Sequence, residues 1–581
     1  MIEKISTIFN TVRYMTYRQW KYRIYYTMRD KVGKRKVKRF NKSFNPIRLP
    51  LYYSNNVNNI NSVEIAERIC SGEIPTISDI NVNYNSDWDL KNEAYRLVSF
   101  KLNSFWWLIC LSDAYKITCD KRYIDKGFEY IAEWNEKCGK FISGDKWNAY
   151  VIAERIFNWV CFLSEYANDS LIVDHCEMIY SQALALRDSI EFQLGGNHLL
   201  SEAKAMMFAG AFVQDKKLYD FGKKVLIDEA NEQFYDDGGH YEQSVSYHVE
   251  ALQQYFETYA LMEYNGDIDK KRFISIMRKA YSFLNGMIGV NGKIPLFNDS
   301  AYDYPFYDAA DFLATAGYIF KEPSPNGCAG IYTKRWEWLG KGTNEIIWDN
   351  KSCYKNTGFI HYRFDIKGKK FSFFMDCGNN GPDYNLGHTH ADALSVLLYS
   401  EDKDILVDSG VFTYKQGAGR NECRSTKAHN TVEIDGKNSS EVWSAFRVAK
   451  RGYSKIIKYA EKNGLEVIAS HDGYARCLKM QVFHIRRVCI KDNEIIICDR
   501  IKGKGRHKAT SRFHISSKCN ILQTDAKTCI IDNIIIKSNQ CIKVSDCYVA
   551  GMFGKLEKTK CIEIGFDKNL KTKFIITEKE I

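Results

Sequence analysis

The sequence predicts an α+β multidomain chain, a helical bundle or toroid followed by an antiparallel β-sandwich. Three observations predict it. From about residue 93 to residue 320, apolar side chains recur at three- and four-residue spacing, as in Ala153, Ile156, Phe157, Val160 and Leu163. After about residue 345 the texture changes to short strand-like runs broken by turn signals. The 581 residues, 45% hydrophobic and 26% charged, are too many for one core and ordinary for a soluble globular protein. The expected division is a basic arm (1–48), an α/α catalytic domain (49–340) and a β-sandwich domain (341–581).

The arm comes first. It holds fourteen Lys or Arg against Glu3 and Asp30, a net +12, so the chain total of +11 leaves the remaining residues near −1. The basicity is therefore local, and no nucleic-acid partner is expected. Ile5, Ile8, Phe9, Val12, Tyr14 and Met15 alternate with the cations, a pattern that suits peripheral contact with an anionic membrane or polymer, or a solvated helix packed on the body. No uncharged apolar stretch reaches spanning length. Lys4, Arg13 and Arg18 interrupt any apolar leader, and eighteen scattered cysteines without a Cys-x-x-Cys pair read as free thiols in a reducing compartment. Cytoplasmic placement, at the inner membrane face, is the expectation, with the periplasm or the exterior as the alternative.

Helical periodicity recurs around residues 121–137, 170–194, 200–215, 243–264 and 271–289, with no repeat of the solenoid kind. His361–Ile366 and Phe371–Asp376 read as two strands around a Lys-Gly-Lys-Lys turn. Asp435-Gly436, Asn463-Gly464 and Asp492-Asn493 mark further turns between strand-like runs, ending with the run Ile530–Ile536.

Six of the twelve histidines, His198, His240, His248, His388, His390 and His429, fall in four short polar segments. Asn197, in Gly-Gly-Asn-His-Leu-Leu-Ser-Glu, fits a helix cap, although capping does not explain the neighbouring His198. Asp237-Gly-Gly-His-Tyr-Glu-Gln-Ser leads into a helix expected from about Glu242, placing Tyr247 and Glu250 near one face. His388 and His390, the strand residue Asp408 and the later His429 offer nitrogen and carboxylate ligands of the kind Zn²⁺ takes, or a buried hydrogen-bond network. Tyr414, Arg420 and Arg424 are further candidates for substrate contact, because the arginine fork matches carboxylate or sulfate.

Together these segments resemble the heparinase II/III family of polysaccharide lyases. The matching residues are Asn197-His-Leu-Leu-Ser-Glu, Asp237-Gly-Gly-His-Tyr-Glu-Gln-Ser with Tyr247-His248, Gly387-His-Thr-His-Ala-Asp-Ala-Leu-Ser, Asp408-Ser-Gly and Arg424-Ser-Thr-Lys-Ala-His-Asn-Thr-Val. The resemblance implies an N-terminal α/α toroid, a C-terminal β-sandwich, and β-elimination at a uronic acid of an acidic polysaccharide. It assigns Asn197 and His198 to the uronate carboxylate, Tyr247 to base and acid, and His388 to the second catalytic position. His240, Tyr414, Arg420 and Arg424 fall to substrate binding. His390, Asp408 and His429 would hold one divalent metal, chiefly structural, with imidazole ligands favouring Zn²⁺. Two rivals stay open: a noncatalytic glycan-binding or assembly protein, and a glycoside hydrolase using a pair drawn from Asp236, Asp237 and Glu242.

Overall fold

A computed structural model describes residues 2–31, 35–40, 44–49, 60–77, 80–84, 88–90, 96–166, 172–303, 308–348, 351–477 and 481–577. Two helices open the chain, α1 (Ile2–Val12) and α2 (Tyr17–Asp30). The helical domain then runs through α3 (Ile60–Cys70), α4 (Arg96–Ser104), α5 (Leu108–Thr118), α6 (Arg122–Cys138), α7 (Ala149–Ser164) and α8 (Val173–Arg187). It continues with α9 (Gly196–Phe212), α10 (Lys216–Gln233), α11 (Val245–Tyr264) and α12 (Lys271–Met287). Helices α7, α9 and α11 are buried almost all round, and the polar residues they carry, such as Arg155, Glu202, Lys204 and Glu257, are buried with them. One hydrophobic core, rich in Trp107, Trp134, Trp159 and Trp336, serves this whole region.

The C-terminal region is antiparallel throughout its named pairings, in sheets of five, four and eight strands and a two-stranded ribbon, Val442–Trp443 against Arg447–Val448, among the described residues. The five-stranded sheet contains the expected hairpin, Phe359–Ile366 against Lys369–Asp376. The eight-stranded sheet runs from Ser454–Ala460 to Ile521–Asp525, and Val482–Lys491 alternates buried and outward residues along its length. Asp435, Asn463, Asp492 and Asp532 all sit at positive φ, the left-handed geometry that tight hairpins need and Asx residues tolerate. A second core of Ile, Val, Leu and Phe fills the space between the sheets. All eighteen cysteines are free.

The arm is packed on the body, as one of the two sequence readings expected. Helix α2 lies on the α8–α9 connection, where Tyr26 Oη donates to the Ile190 carbonyl and Arg23 to that of Gln193, and on α10, where Arg18 pairs with Glu229 at 2.7 Å. Helix α1 lies on the sheet domain, where Thr7 Oγ1 donates to Glu441 and Trp443 Nε1 donates to Thr11 Oγ1 at 3.0 Å. Arg451 completes the join, donating to the Asn10 carbonyl and stacking over Tyr14. The first thirty residues thus bridge the helical and sheet domains.

Candidate active site

Two corrections concern how the site residues are held. Asn197 is not the cap of α9: Gly195, at φ +70, takes that place, and Asn197 sits in the first turn. Its Nδ2 donates to Glu250 Oε2 at 2.9 Å, and Tyr150 Oη donates to the other oxygen of Glu250. Helix α11 begins at Val245 rather than near Glu242, because Gln243 adopts φ +59 and Ser244 caps the helix by accepting from the Tyr247 N–H. Tyr247 and Glu250, three residues apart on α11, share one face, and Glu250 ties Asn197 to that helix.

His198 is one-third exposed, stacks on Tyr150 with centroids 4.4 Å apart, and bonds Glu191 Oε2 through Nδ1 at 2.7 Å. Burial pulls its pKa down, but the hydrogen bond and charge of Glu191, with Glu250 and Glu242, outweigh burial and raise it.

His388 and His390 occupy a turn and converge on a single buried carboxylate, Asp299. His388 Nδ1 lies 3.0 Å from Asp299 Oδ2, and His390 Nε2 lies 2.7 Å from Oδ1. Arg420 closes the set with a two-pronged contact at 2.5 and 2.6 Å. Burial acts to raise the Asp299 pKa, yet Arg420 and the two imidazoles hold it well below the usual carboxylate range. The neighbouring Asn298, at φ +55, receives the His390 N–H and donates to the Gln243 carbonyl. Ser300 Oγ accepts from the Val245 N–H and shares a hydrogen bond with the Ser244 cap. This 298–300 loop ties the start of α11 to the histidine turn.

Tyr247 is thereby set against His388, ring on ring, with centroids 3.7 Å apart and planes at 28°. Its hydroxyl is 3.0 Å from that of Tyr414. Burial, then Tyr414, Asp299 and Glu250, push the Tyr247 pKa well up, so the phenol is neutral in the free protein. Tyr414 lies in a loop and packs between Phe446 and Phe553, while Phe446 also meets the edge of His388.

Three expected substrate contacts are placed otherwise. Arg420 and Arg424 are fully buried, the first committed to Asp299 and the second to the carbonyls of Thr389, Ser444, Ala445 and Arg447. Both brace the histidine turn, because a guanidinium surrounded by acceptors is not free to meet a sugar. His240 is buried against Gln233 Oε1, with Nδ1 3.8 Å from Glu242, and burial holds its pKa far below the ordinary histidine value.

Asp408 lies two residues beyond the strand Asp404–Leu406, not within it, and its Oδ2 pairs with His429 Nδ1 at 2.8 Å. The His390 and His429 rings are 5.2 Å apart, and both rings are wholly buried. His390 Nδ1 and His429 Nε2 have no hydrogen-bond partner, an expensive state for buried polar atoms. This donor chemistry fits an ion, although among the described residues no three His, Cys, Asp or Glu side chains already converge as a ligand set. Arg486, paired with Asp499, reaches the carbonyls of Leu394 and Asn430, so the large sheet anchors both loops of this cluster.

Sequence reasoning passed over Asp299, Asn298, Glu191, Tyr150 and Phe446. A Phe-Asn-Asp-Ser turn offers only a loop signal, and nothing local reveals that Asp299 gathers two histidines and an arginine from nearly a hundred residues away or more.

The helical domain thus contributes an amide, Asn197, and a phenol, Tyr247, and the sheet domain sets a carboxylate-bonded imidazole, His388, against that phenol. Residues 36–309 match the family described as heparinase II/III N-terminus, and residues 352–562 match heparinase II/III-like, C-terminal. The chain belongs to the heparinase II/III family. It is similar to a heparin-sulfate lyase of Bacteroides thetaiotaomicron, 26% identical over 427 residues, covering 64% of this chain and 55% of that protein. A heparin-sulfate lyase of Pedobacter heparinus is 24% identical over 371 residues, 60% and 53% of the two chains. The chain therefore spans little more than half the length of these two curated relatives. Among solved structures, heparinase III superposes with a TM-score of 0.72 at 19% identity, covering 93% of this chain and 88% of the other. A heparan sulfate lyase from Pedobacter heparinus gives 0.58 at 16%, covering 96% and 88%. These structures share the fold: a helical toroid followed by antiparallel sheets.

Proposed function

We propose that the protein is a polysaccharide lyase, cleaving a uronate-containing acidic polysaccharide of glycosaminoglycan type by β-elimination. The observation that carries this reading is the stacked Tyr247–His388 pair, with His388 oriented by Asp299 and Asn197 joined to the same helix through Glu250. The similarity to heparin-sulfate lyases supports the substrate class.

Elimination needs a base at C5 of the uronate, an acid at the leaving O4, and donors for the carboxylate as charge develops. When His388 donates Nδ1–H to Asp299, its neutral form leaves Nε2 to take the C5 proton. Tyr247, kept protonated by its surroundings, then gives its proton to O4 as the C–O bond breaks. The electron pair of the C5–H bond becomes the C4–C5 double bond. Asn197 and His198, a cation below its raised pKa, meet the uronate carboxylate. Tyr414 and Phe446 offer an aromatic wall for a sugar face.

His390, Asp408 and His429 would hold a divalent ion, Zn²⁺ by ligand type, which when bound would brace the turn presenting His388. A hydrolase finds less support. Asp237, one of its candidate carboxylates, is occupied by the Asn356 and Thr357 N–H groups and the Thr357 hydroxyl, and Asp236 pairs with Lys279 at the surface.

Incubation with a panel of uronate polymers, heparan sulfate included, tests the proposal. Chain cleavage with new ultraviolet absorbance from unsaturated ends is expected. Shortening without absorbance means hydrolysis, and binding without cleavage means an assembly or binding role; either rejects the lyase.

A further inference from the structure

We propose that α1 and α2 form a docking face for an anionic membrane surface. Of the twenty-two exposed large apolar side chains among the described residues, eight lie between Ile5 and Met28. Such a concentration in two dozen residues is not scatter, which is the ordinary state of surface hydrophobics.

The arrangement on α2 is two-sided. Its inner face, Gln19, Tyr22, Arg23 and Tyr26, packs on the body through the contacts already described and the Tyr22–Phe192 ring contact. At about 100° per residue, the opposite face collects Tyr17, Trp20, Lys21, Ile24, Tyr25 and Met28. Tyr17 is 83% exposed, Met28 66%, Tyr25 53%, Ile24 51% and Trp20 43%. In α1, Ile5 and Phe9 are exposed to a similar degree. The inner contacts hold α2 in place, so its outer face is presented ready-made rather than created on folding.

The charge around this face decides the occupant. Lys4, Arg13, Lys21 and Lys31 are exposed, while Asp30 is the sole exposed acid among the described side chains from Lys4 to Lys31 and pairs with Arg29. Two copies of such a face would bring like charges together. A polyanionic sugar chain would satisfy the cations but leave Ile5, Ile24 and Met28 in water. An anionic bilayer satisfies both, taking the aliphatic side chains below the headgroups and the tryptophan and tyrosines at headgroup depth.

The inner face of α2 contacts Ile190 and Gln193, flanking Glu191, which bonds His198. Docking would therefore hold the cleft close to the membrane surface.

Flotation of the full chain with vesicles tests this. Vesicles containing phosphatidylglycerol should carry the wild type and release it as salt rises, whereas pure phosphatidylcholine should carry little. The triple variant Trp20→Ser, Ile24→Ser, Met28→Ser should lose vesicle partition at least about tenfold, with unchanged circular dichroism and unchanged cleavage of soluble polymer. Lys21→Glu should weaken it further. Absence of wild-type binding to the anionic vesicles overturns the proposal. So does equal binding by the triple variant, a triple variant altered in solution mass but not in vesicle partition, or one that loses affinity for soluble uronate polymer instead.

Discussion

The Tyr247 and His388 rings stack with centroids 3.7 Å apart, so the proposed acid and base come from the helical and the sheet domain respectively. Neither ring is positioned by its own segment alone. The 298–300 loop fixes both, bonding the start of α11 on one side and the histidine turn on the other.

Tyr247→Phe removes the proton for O4 and keeps the ring stack. Product formation should fall by at least about a hundredfold, with the thermal midpoint nearly unchanged. Full activity would show that the phenol takes no part.

Asp299→Asn leaves the buried Arg420 without its counter-charge and both histidines without their shared acceptor. A loss of about 3 to 5 kcal/mol is expected in urea unfolding, together with loss of cleavage. A stability within error of wild type would show that this cluster does not hold the turn.

Glu191→Gln tests the His198 cation. In the wild type the Glu191 contact helps raise the His198 pKa against burial, so carboxylate binding by the imidazolium should fade as pH rises through that raised value. Removing the charge lowers the pKa, and the alkaline limb of kcat/KM should move to lower pH. A limb that stays in place assigns it to another group.

His390→Ala should reduce bound divalent metal, measured by elemental analysis, and lower the thermal midpoint together. Metal retained at full stoichiometry would mean that His390 is not a ligand.

Much of this was legible in the sequence. The amphipathic spacing around residues 121–137 returned as α6, and the Asn463 and Asp492 turns returned as hairpins, because both signals are local. Helix α10 was passed over, since its buried positions include Glu229 and Gln233 as well as Leu218, Val225 and Leu226, blurring the apolar period. Asn197 reaches Glu250 of α11, His198 stacks on Tyr150, and Tyr247 stacks on His388. What stayed hidden was their support, because Asp299, Arg420 and Arg424 act across long loops and look like surface polar residues until the tertiary fold buries them.

The bridge made by the first two helices carries a mechanical consequence. Thr7, Asn10 and Thr11 grip one half of the molecule, while Arg18, Arg23 and Tyr26 grip the other. Any hinge-like gaping that admits a bulky polymer must stretch or peel this strap. On the proposed function, separation of the two domains is thus restrained partly by helices to which no reacting group is assigned.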